Sequence, residues 1–446
     1  MHFIDQFTQT AKSYIATQHT KPVYPTEEAI CNLEKLDTPL QQKSLHANEV
    51  LSLLDEIGSP ATVKTTGGRY YGFVIGGCLP AAMCAKLLAS VWDQNAGLTV
   101  MSPVASKLET IVGKWMLKIF GLPADCGFGF VTGDTVANFT ALAAARHKLL
   151  KNAGWDVEAN GLFHAPEITV IVGDEVHVSV LKALSMLGFG RDRVIRVPVD
   201  NQGRMISDKI PVIKTPAIVC TQAGNVNTGA FDPVEEICIK VKNENVWVHV
   251  DAAFGLWAAA FDEKKYLVHG IELADSWATD AHKWLNAPYD SGVVFVRDKE
   301  SLFTAMSAAA AYLPSDAVRE PFQYVPEMSR QARAIPVWAA LKSLGTKGLA
   351  ELIERNCRHA MQFADTLTKA GFTVLNDVVL NQVLVSFGDA AITQQVIKQV
   401  QDEGVCWCGG TVWQGKTAMR ISVSNWSTTH EDVQQSLQSI IKHAKG

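Results

Sequence analysis

What this sequence lacks narrows it first. No stretch reaches the roughly 18 unbroken apolar residues that a membrane-spanning helix requires. The start, MHFIDQFTQTAKSYIATQ, has neither the basic cluster nor the apolar block of a secretory leader, so a cytoplasmic protein is expected. Charge is modest: 40 Lys and Arg against 45 Asp and Glu leave a formal net charge of −5 over 446 residues. With no basic face, nucleic acid is not an expected partner, and no membrane surface is either. The nine cysteines are odd in number and scattered. Cys406 and Cys408 form a C-x-C with no second pair to complete a zinc site, so buried reduced thiols and no metal are expected. There is no internal repeat and no low-complexity tract.

Hydrophobic residues make up 48% of the chain and charged residues 19%, the balance of a soluble globular protein. One small core is not enough at this length, and a large domain with a smaller one is expected. Residues 1–60 read as helices around the connection TKPVYPT, with Phe3, Ile4, Phe7 and Ala11 on one side of the first. A helix without a core of its own often packs on another subunit. Residues 1–75 are therefore read as a dimerisation arm, 76–340 as the large domain and 341–446 as the small C-terminal domain. From about residue 100 to 300, apolar strands such as EITVIV, PAIVC and WVHV alternate with helical stretches. That alternation predicts a mainly parallel sheet covered by helices. The passage VWAALKSLGTKGLAELIERNCRHAMQFADTLTKAG predicts a long helix bent near Gly345, followed by a smaller α/β unit.

Four features fall at expected strand ends, where open α/β sheets bind ligands. In VTGDTVAN, residues Gly133, Asp134 and Thr135 open a helix whose free N–H groups favour an anion. The G-K-[ST] ending of a nucleotide loop is absent, and an ordinary cap by Asp134 or Thr135 is the plainer account. In GDEVHVSV, His177 is either a packed structural histidine or one that stacks on a ring and carries protons. In VWVHVDAA, Asp251 ends an apolar strand and needs a cation, either a protein Lys or Arg or a protonated pyridine nitrogen. Ala252 and Ala253 beside it would let a flat ring approach. In TDAHKWL, Lys283 lies 32 residues after Asp251. Burial would lower its pKa and make it a nucleophile, and a Schiff base to an aldehyde would remove the buried charge. A lysine reaching past Trp284 to solvent is the alternative. Phosphate loop, ring-stacking histidine, nitrogen-pairing aspartate and aldehyde-binding lysine are together the parts that hold pyridoxal 5′-phosphate.

The segments HVDAAFG and DAHKWLNAPYDSG closely resemble the signature of the group II pyridoxal-phosphate-dependent amino acid decarboxylases, which include aromatic-amino-acid, histidine, glutamate and diaminobutyrate decarboxylases. GGRYYGFVIGG, SPVASKLETIVGKWMLKIFGLP, EMSRQARAIPVWAALKSLG and AMRISVSNWSTTHEDV extend the resemblance over nearly the whole chain. It implies an α/β fold of the aspartate-aminotransferase type (fold type I), with a mainly parallel seven-stranded large-domain sheet and a smaller C-terminal α/β domain. It also implies a homodimer with sites near the interface. Lys283 would carry the cofactor as a Schiff base, Asp251 would pair with the ring nitrogen, His177 would stack on one face and Ala253 on the other. Gly133, Asp134 and Thr135 would hold the phosphate, helped by Asp280 and His282. Phe73 and Gly76 would line the substrate side. A tyrosine before Arg330 would return a proton to the substrate, with Tyr324 first choice and Tyr312 second.

The implied reaction is removal of the α-carboxylate of an L-amino acid as carbon dioxide. An aldehyde synthase, an aminotransferase, a carbon–carbon lyase or a non-catalytic relative are the other readings. Two departures stand out. Asn225 and Val226 occupy a place where many relatives have a threonine pair, so a polar contact is lost or moves to Asn225. Phe73, Val74, Ile75 and Gly76 differ from the aromatic decarboxylases, so an aromatic substrate is not implied. Arg420 is read as structural, with a carboxylate contact as the alternative.

Overall fold

The computed structural model of the chain describes residues 2–18, 20–214, 216–308 and 319–446. Among these residues the strands form two sheets. The larger has β1 (Gly127–Val131), β2 (Thr169–Gly173), β3 (Ile195–Val197), β4 (Ala217–Gln222), β5 (Val246–Asp251), β6 (Ser276–Asp280) and β7 (Gly292–Val296), in the order β1-β7-β6-β5-β4-β2-β3. Only β7 runs against its neighbours β1 and β6; the other pairings are parallel. This is the mainly parallel seven-stranded sheet expected from the sequence.

Parallel sheets survive because helices cover both faces, so their strands are apolar at nearly every position. Here Phe130, Val219, Val250 and Trp277 feed one core, under the helix Pro103–Phe120. Val131, Ile218, Cys220 and Ala278 point the other way, to the helices Asp134–Asn152 and Val178–Met186. The alternation along each strand thus divides residues between two cores.

The smaller sheet joins β8 (Thr373–Val374), β9 (Gln382–Ser386), β10 (Gly409–Trp413) and β11 (Lys416–Ser422), all antiparallel, in the order β10-β11-β9-β8. The helix Ala334–Lys369 leads into it and breaks at Gly345, where φ is 62°, the bend expected there. The smaller sheet is tied to the beginning of the chain. Tyr71 N–H donates to Trp407 O at 2.9 Å and Ser422 N–H to Tyr71 O at 3.0 Å. The helix His2–Ala16 lies on residues 48–62, with Gln6 Nε2 bonded to Ser52 Oγ at 2.9 Å and Tyr14 to Thr62 at 2.7 Å. Phe3, Ile4 and Phe7 remain exposed.

β1 is anchored by a buried ionic group. Glu109 and Arg330 form an ion pair in which each side chain is 1% exposed. Arg330 also donates to Phe130 O at 3.2 Å, and Arg319 reaches both Glu109, at 3.4 Å, and Phe128 O, at 2.7 Å. Removing one member leaves the others buried and unpaired. Glu109→Ala is therefore expected to cost about 3 kcal/mol or more of stability, read from urea unfolding. A loss below about 1 kcal/mol would show that the cluster does not hold β1.

Candidate active site

The carboxyl ends of β1, β2, β5 and β6 share one edge of the large sheet. Gly133 and Asp134 follow β1, His177 follows β2, Asp251 closes β5, and Asp280 closes β6 just before Lys283. Polar atoms of Asp134, His177 and Asp251 lie within 4.8 Å of one another. Lys283 Nζ sits 3.1 Å from Asp280 Oδ2, and Trp284 beside it is fully buried. The amine ends on a buried carboxylate instead of reaching solvent. His282 Nε2 is 3.5 Å from the same oxygen. A Cβ at Gly133 would come to 3.2 Å from the His282 ring and 3.7 Å from Asp280 Oδ1, so the phosphate-loop candidate and the lysine motif face each other.

Burial by itself lowers the Lys283 ammonium, as the sequence suggested. The carboxylates of Asp280, Asp134 and Asp251 outweigh it and hold the group above its ordinary value. The expected lowering is thus corrected: in this acidic pocket the free amine keeps its proton. His177 moves the other way, pushed down by burial against the pull of Asp251. Its Nδ1 accepts from the Ser179 N–H at 3.3 Å and lies 2.8 Å from Ser179 Oγ. With Nδ1 an acceptor, the neutral ring carries its proton on Nε2.

Asp251 needed a cation. Its carboxylate meets the Ala253 N–H at 3.3 Å and the Ser179 hydroxyl at 3.5 Å, and among the described residues no Lys or Arg forms an ion pair with it. The protein salt bridge considered from sequence is therefore not what satisfies it. Asp134 Oδ1 and Asp280 Oδ1 are likewise buried without a partner among the described residues. A ligand with a protonated ring nitrogen beside Asp251 and an aldehyde for Lys283 fits these residues, with the half-buried Ala253 next to them.

A hydrogen-bond chain that the sequence did not reveal stands behind the acids. Trp247 Nε1 donates to Ser276 Oγ at 2.8 Å, and Ser276 Oγ lies 2.8 Å from His249 Nδ1. His249 Nε2 lies 2.7 Å from Asn138 Oδ1, and Asn138 Nδ2 donates to Asp134 Oδ2 at 2.9 Å. Burial pushes His249 down to about 3, so it is neutral and works only as a relay of hydrogen bonds. Two signals for this were present: Asn138 is one helical turn after Asp134, and His249 shares a strand face with Asp251. Tyr289 was also missed. Its ring packs on His282 at 4.4 Å while the residue stays half exposed.

The lysine turn is clamped from two directions. Asn286, at φ 58°, donates to Trp284 O at 2.7 Å and to Ser424 O at 3.0 Å. It accepts from Trp426 N–H at 2.8 Å, and its carbonyl accepts from Leu79 N–H at 2.8 Å. Phe73 and Val74 run through left-handed backbone, at φ 53° and 59°, a costly conformation for a β-branched residue. Phe73 stacks on Trp407 at 5.5 Å and is 61% exposed, so within one chain it lies outside the buried cluster. Gly76 abuts the Lys283 carbonyl.

Other candidates fall elsewhere. Tyr324 packs its ring on Arg319 at 4.5 Å and on Phe303 at 6.1 Å, with no hydrogen bond or ring contact to the cluster among the described residues. Tyr312 lies outside the described residues. Asn225 does not reach the cluster either: its Oδ1 accepts from Asn227 and Thr228 N–H at 2.8 and 3.2 Å, capping its own loop. Thr135 is half-buried at the helix start, and Val226 half-buried in its loop. Cys406 and Cys408 are buried free thiols. Arg420 is mostly buried, and its Nε has no partner among the described residues.

Comparison with known proteins agrees with this geometry. Solved structures of the pyridoxal-phosphate decarboxylase fold superpose over essentially the whole chain. Oryza sativa TDC, solved with PLP and tryptamine, gives a TM-score of 0.92 at 20% identity, covering 100% of this chain and 97% of that one. Rhodiola rosea 4-hydroxyphenylacetaldehyde synthase gives 0.87 at 20% identity, covering 99% and 97%. By sequence, residues 34–388 match the family described as the pyridoxal-dependent decarboxylase conserved domain. An aromatic-L-amino-acid decarboxylase of Bacillus atrophaeus is 26% identical over 94% of this chain and 90% of its own. The L-2,4-diaminobutyrate decarboxylase of Rhizobium meliloti (strain 1021) is 29% identical over 82% and 75%. The fold is fold type I, and the chain belongs to the pyridoxal-dependent decarboxylase family. It is an amino acid decarboxylase, a carboxy-lyase whose cofactor is pyridoxal 5′-phosphate.

The contact between Gly76 and the lysine turn gives a direct test. Any side chain at 76 must push Lys283 aside, because the obstacle is backbone. Gly76→Ala is expected to fold with reduced stability, by about 2 kcal/mol, and to lose most of its cofactor absorbance after dialysis. Unchanged absorbance would show that the turn tolerates displacement.

Proposed function

We propose that this chain decarboxylates an L-amino acid with Lys283 as the cofactor-bonding amine, Asp251 as the partner of the ring nitrogen and His177 as the residue stacked on the ring. The observation that carries the reading is a buried Asp251, without a Lys or Arg ion pair among the described residues, on the same sheet edge as the half-buried Lys283. When bound, pyridoxal phosphate supplies an aldehyde that condenses with amines and a ring that accepts the electron pair left as carbon dioxide departs. The chain's own residues do the rest. Asp251 keeps the ring nitrogen protonated. Gly133, Asp134 and Thr135 hold the phosphate, with His282 and Asp280 opposite. Ala253 leaves room for the ring face opposite His177, and Phe73 and Gly76 border the substrate side. Half-buried Arg420, without an ion pair among the described residues, is suited to hold a substrate carboxylate.

The test is carbon dioxide release from a panel of L-amino acids, with product amines identified. One amino acid should give carbon dioxide and the matching amine, and Lys283→Ala should lower the rate by at least about 1,000-fold. An aldehyde or keto acid as main product would replace decarboxylation by another α-carbon reaction. For the proton returned to the substrate, Tyr324 is the first candidate and Tyr312 the second. Held by Arg319 and Phe303, Tyr324 is expected to be dispensable: Tyr324→Phe should keep kcat within about threefold. A loss beyond about 100-fold would restore its role.

The same reading includes a homodimer in the cytoplasm. Its support is apolar surface with no cover in one chain: Leu40 is 92% exposed, Val100 79% and Val91 73%, with Phe3 and Phe7 on the N-terminal helix. Light scattering should give twice the 48.5 kDa chain mass, and Val91→Asp should lower it. A monomer at micromolar concentration would overturn the dimer.

A further inference from the structure

Asp251 answers a ring nitrogen and Asp280 answers Lys283, which leaves one acid unexplained. Asp134 is the first residue of the helix Asp134–Asn152, where the backbone N–H groups would receive a phosphate. A phosphate dianion only accepts hydrogen bonds, and so does an ionised carboxylate. Two such groups at one helix start repel each other. Yet Asp134 is 6% exposed and has no way to turn out to solvent without losing its bonds.

The arrangement of its two oxygens resolves the conflict. Oδ2 accepts from Asn138 Nδ2 at 2.9 Å and lies 3.0 Å from Ser179 Oγ, whose single hydroxyl proton is also within reach of His177 Nδ1. The Asn138 amide is fixed in that sense because its own oxygen faces His249 Nε2. Oδ1 is buried with no partner among the described residues. The groups that face Asp134 are Asp251 from β5, Asp280, His282 and Lys283 from the end of β6, and His177 and Ser179 from the start of the helix Val178–Met186. Arg420 of β11 acts on His177 from the smaller sheet. Burial, then Asp251 and Asp280, push the Asp134 carboxyl up, against the smaller pull of Lys283 and the Ser179 bond. With Oδ2 filled by donors, the proton belongs on Oδ1.

We propose that Asp134 works as the neutral acid, with its Oδ1–H as a hydrogen-bond donor to the phosphate of the cofactor. The inference rests on the pyridoxal-phosphate reading of this pocket. It makes capture of the phosphorylated cofactor depend on a protein proton. The neutral form prevails at low pH. Above the raised pKa the proton is lost, the donor becomes a charge, and affinity falls by about tenfold per pH unit.

The experiment measures binding, not turnover. Pyridoxamine 5′-phosphate and pyridoxamine are titrated into cofactor-free protein by fluorescence, from about pH 7 to about pH 9.5. Neither has an aldehyde, so Lys283 cannot bond to them. Over that range the ligand phosphate is already a dianion, its second ionisation lying near ~6. The wild type should lose affinity for the phosphorylated ligand with rising pH, relative to pyridoxamine. Asp134→Asn, whose amide donates at every pH, should hold its low-pH affinity throughout. Within the wild type alone, the ratio of the two dissociation constants carries the same information if the variant folds poorly. A ratio independent of pH, or parallel profiles in wild type and Asp134→Asn, would overturn the role of Asp134 while leaving the cofactor reading intact. Failure of both ligands to bind at any pH would remove the cofactor reading itself.

Discussion

Three buried carboxylates and one ammonium share a small space at the carboxyl edge of the large sheet, and much of the structure follows from that imbalance. Asp134, Asp251 and Asp280 are each under 10% exposed. Isolated charges at that depth are unfavourable by several kcal/mol each. Lys283 satisfies one of them. On the proposed reading, a protonated ring nitrogen would satisfy a second, and a retained proton the third. The ligand would then be part of the electrostatic balance of the pocket.

The scaffold holds this arrangement in place by making distant parts of the chain meet at Asn286. Its side chain and carbonyl touch the lysine turn, the stretch at Leu79 and the stretch at Ser424 and Trp426, so three separate segments fix one loop. The left-handed Phe73 and Val74 belong to the same junction. Their strain is tolerated because Val74 is 1% exposed and packed into the main core. Behind the acids, the chain from Trp247 through Ser276, His249 and Asn138 supplies donors without supplying charge. It sets the orientation of Asp134 and leaves its titration to burial and the neighbouring ions.

Much of this was legible in the sequence, for a physical reason. In a mainly parallel sheet the carboxyl ends of the strands lie together, so residues at successive strand ends meet even when far apart in the chain. Gly133, His177, Asp251 and Lys283 were readable on that ground, as were the sheet and the bend at Gly345. What was not readable depends on which side chains meet. The lowered pKa expected for Lys283 followed from burial alone and ignored Asp280, whose distance the sequence does not give. At Asn225, where a polar contact was expected to be either lost or taken over, the side-chain oxygen caps its own loop. Tyr324 has the right place in sequence, but its ring is engaged by Arg319 and Phe303. The Asn138–His249 link joins a helix to a strand 111 residues away, a separation that no local pattern encodes.

The most direct test of the central claim is chemical. The protein is loaded with pyridoxal phosphate, reduced with borohydride to make any Schiff base permanent, digested, and its peptides weighed. The account predicts one modified peptide, carrying the pyridoxyl mass on Lys283. Modification at a different lysine, or none in protein that binds the cofactor, would contradict it.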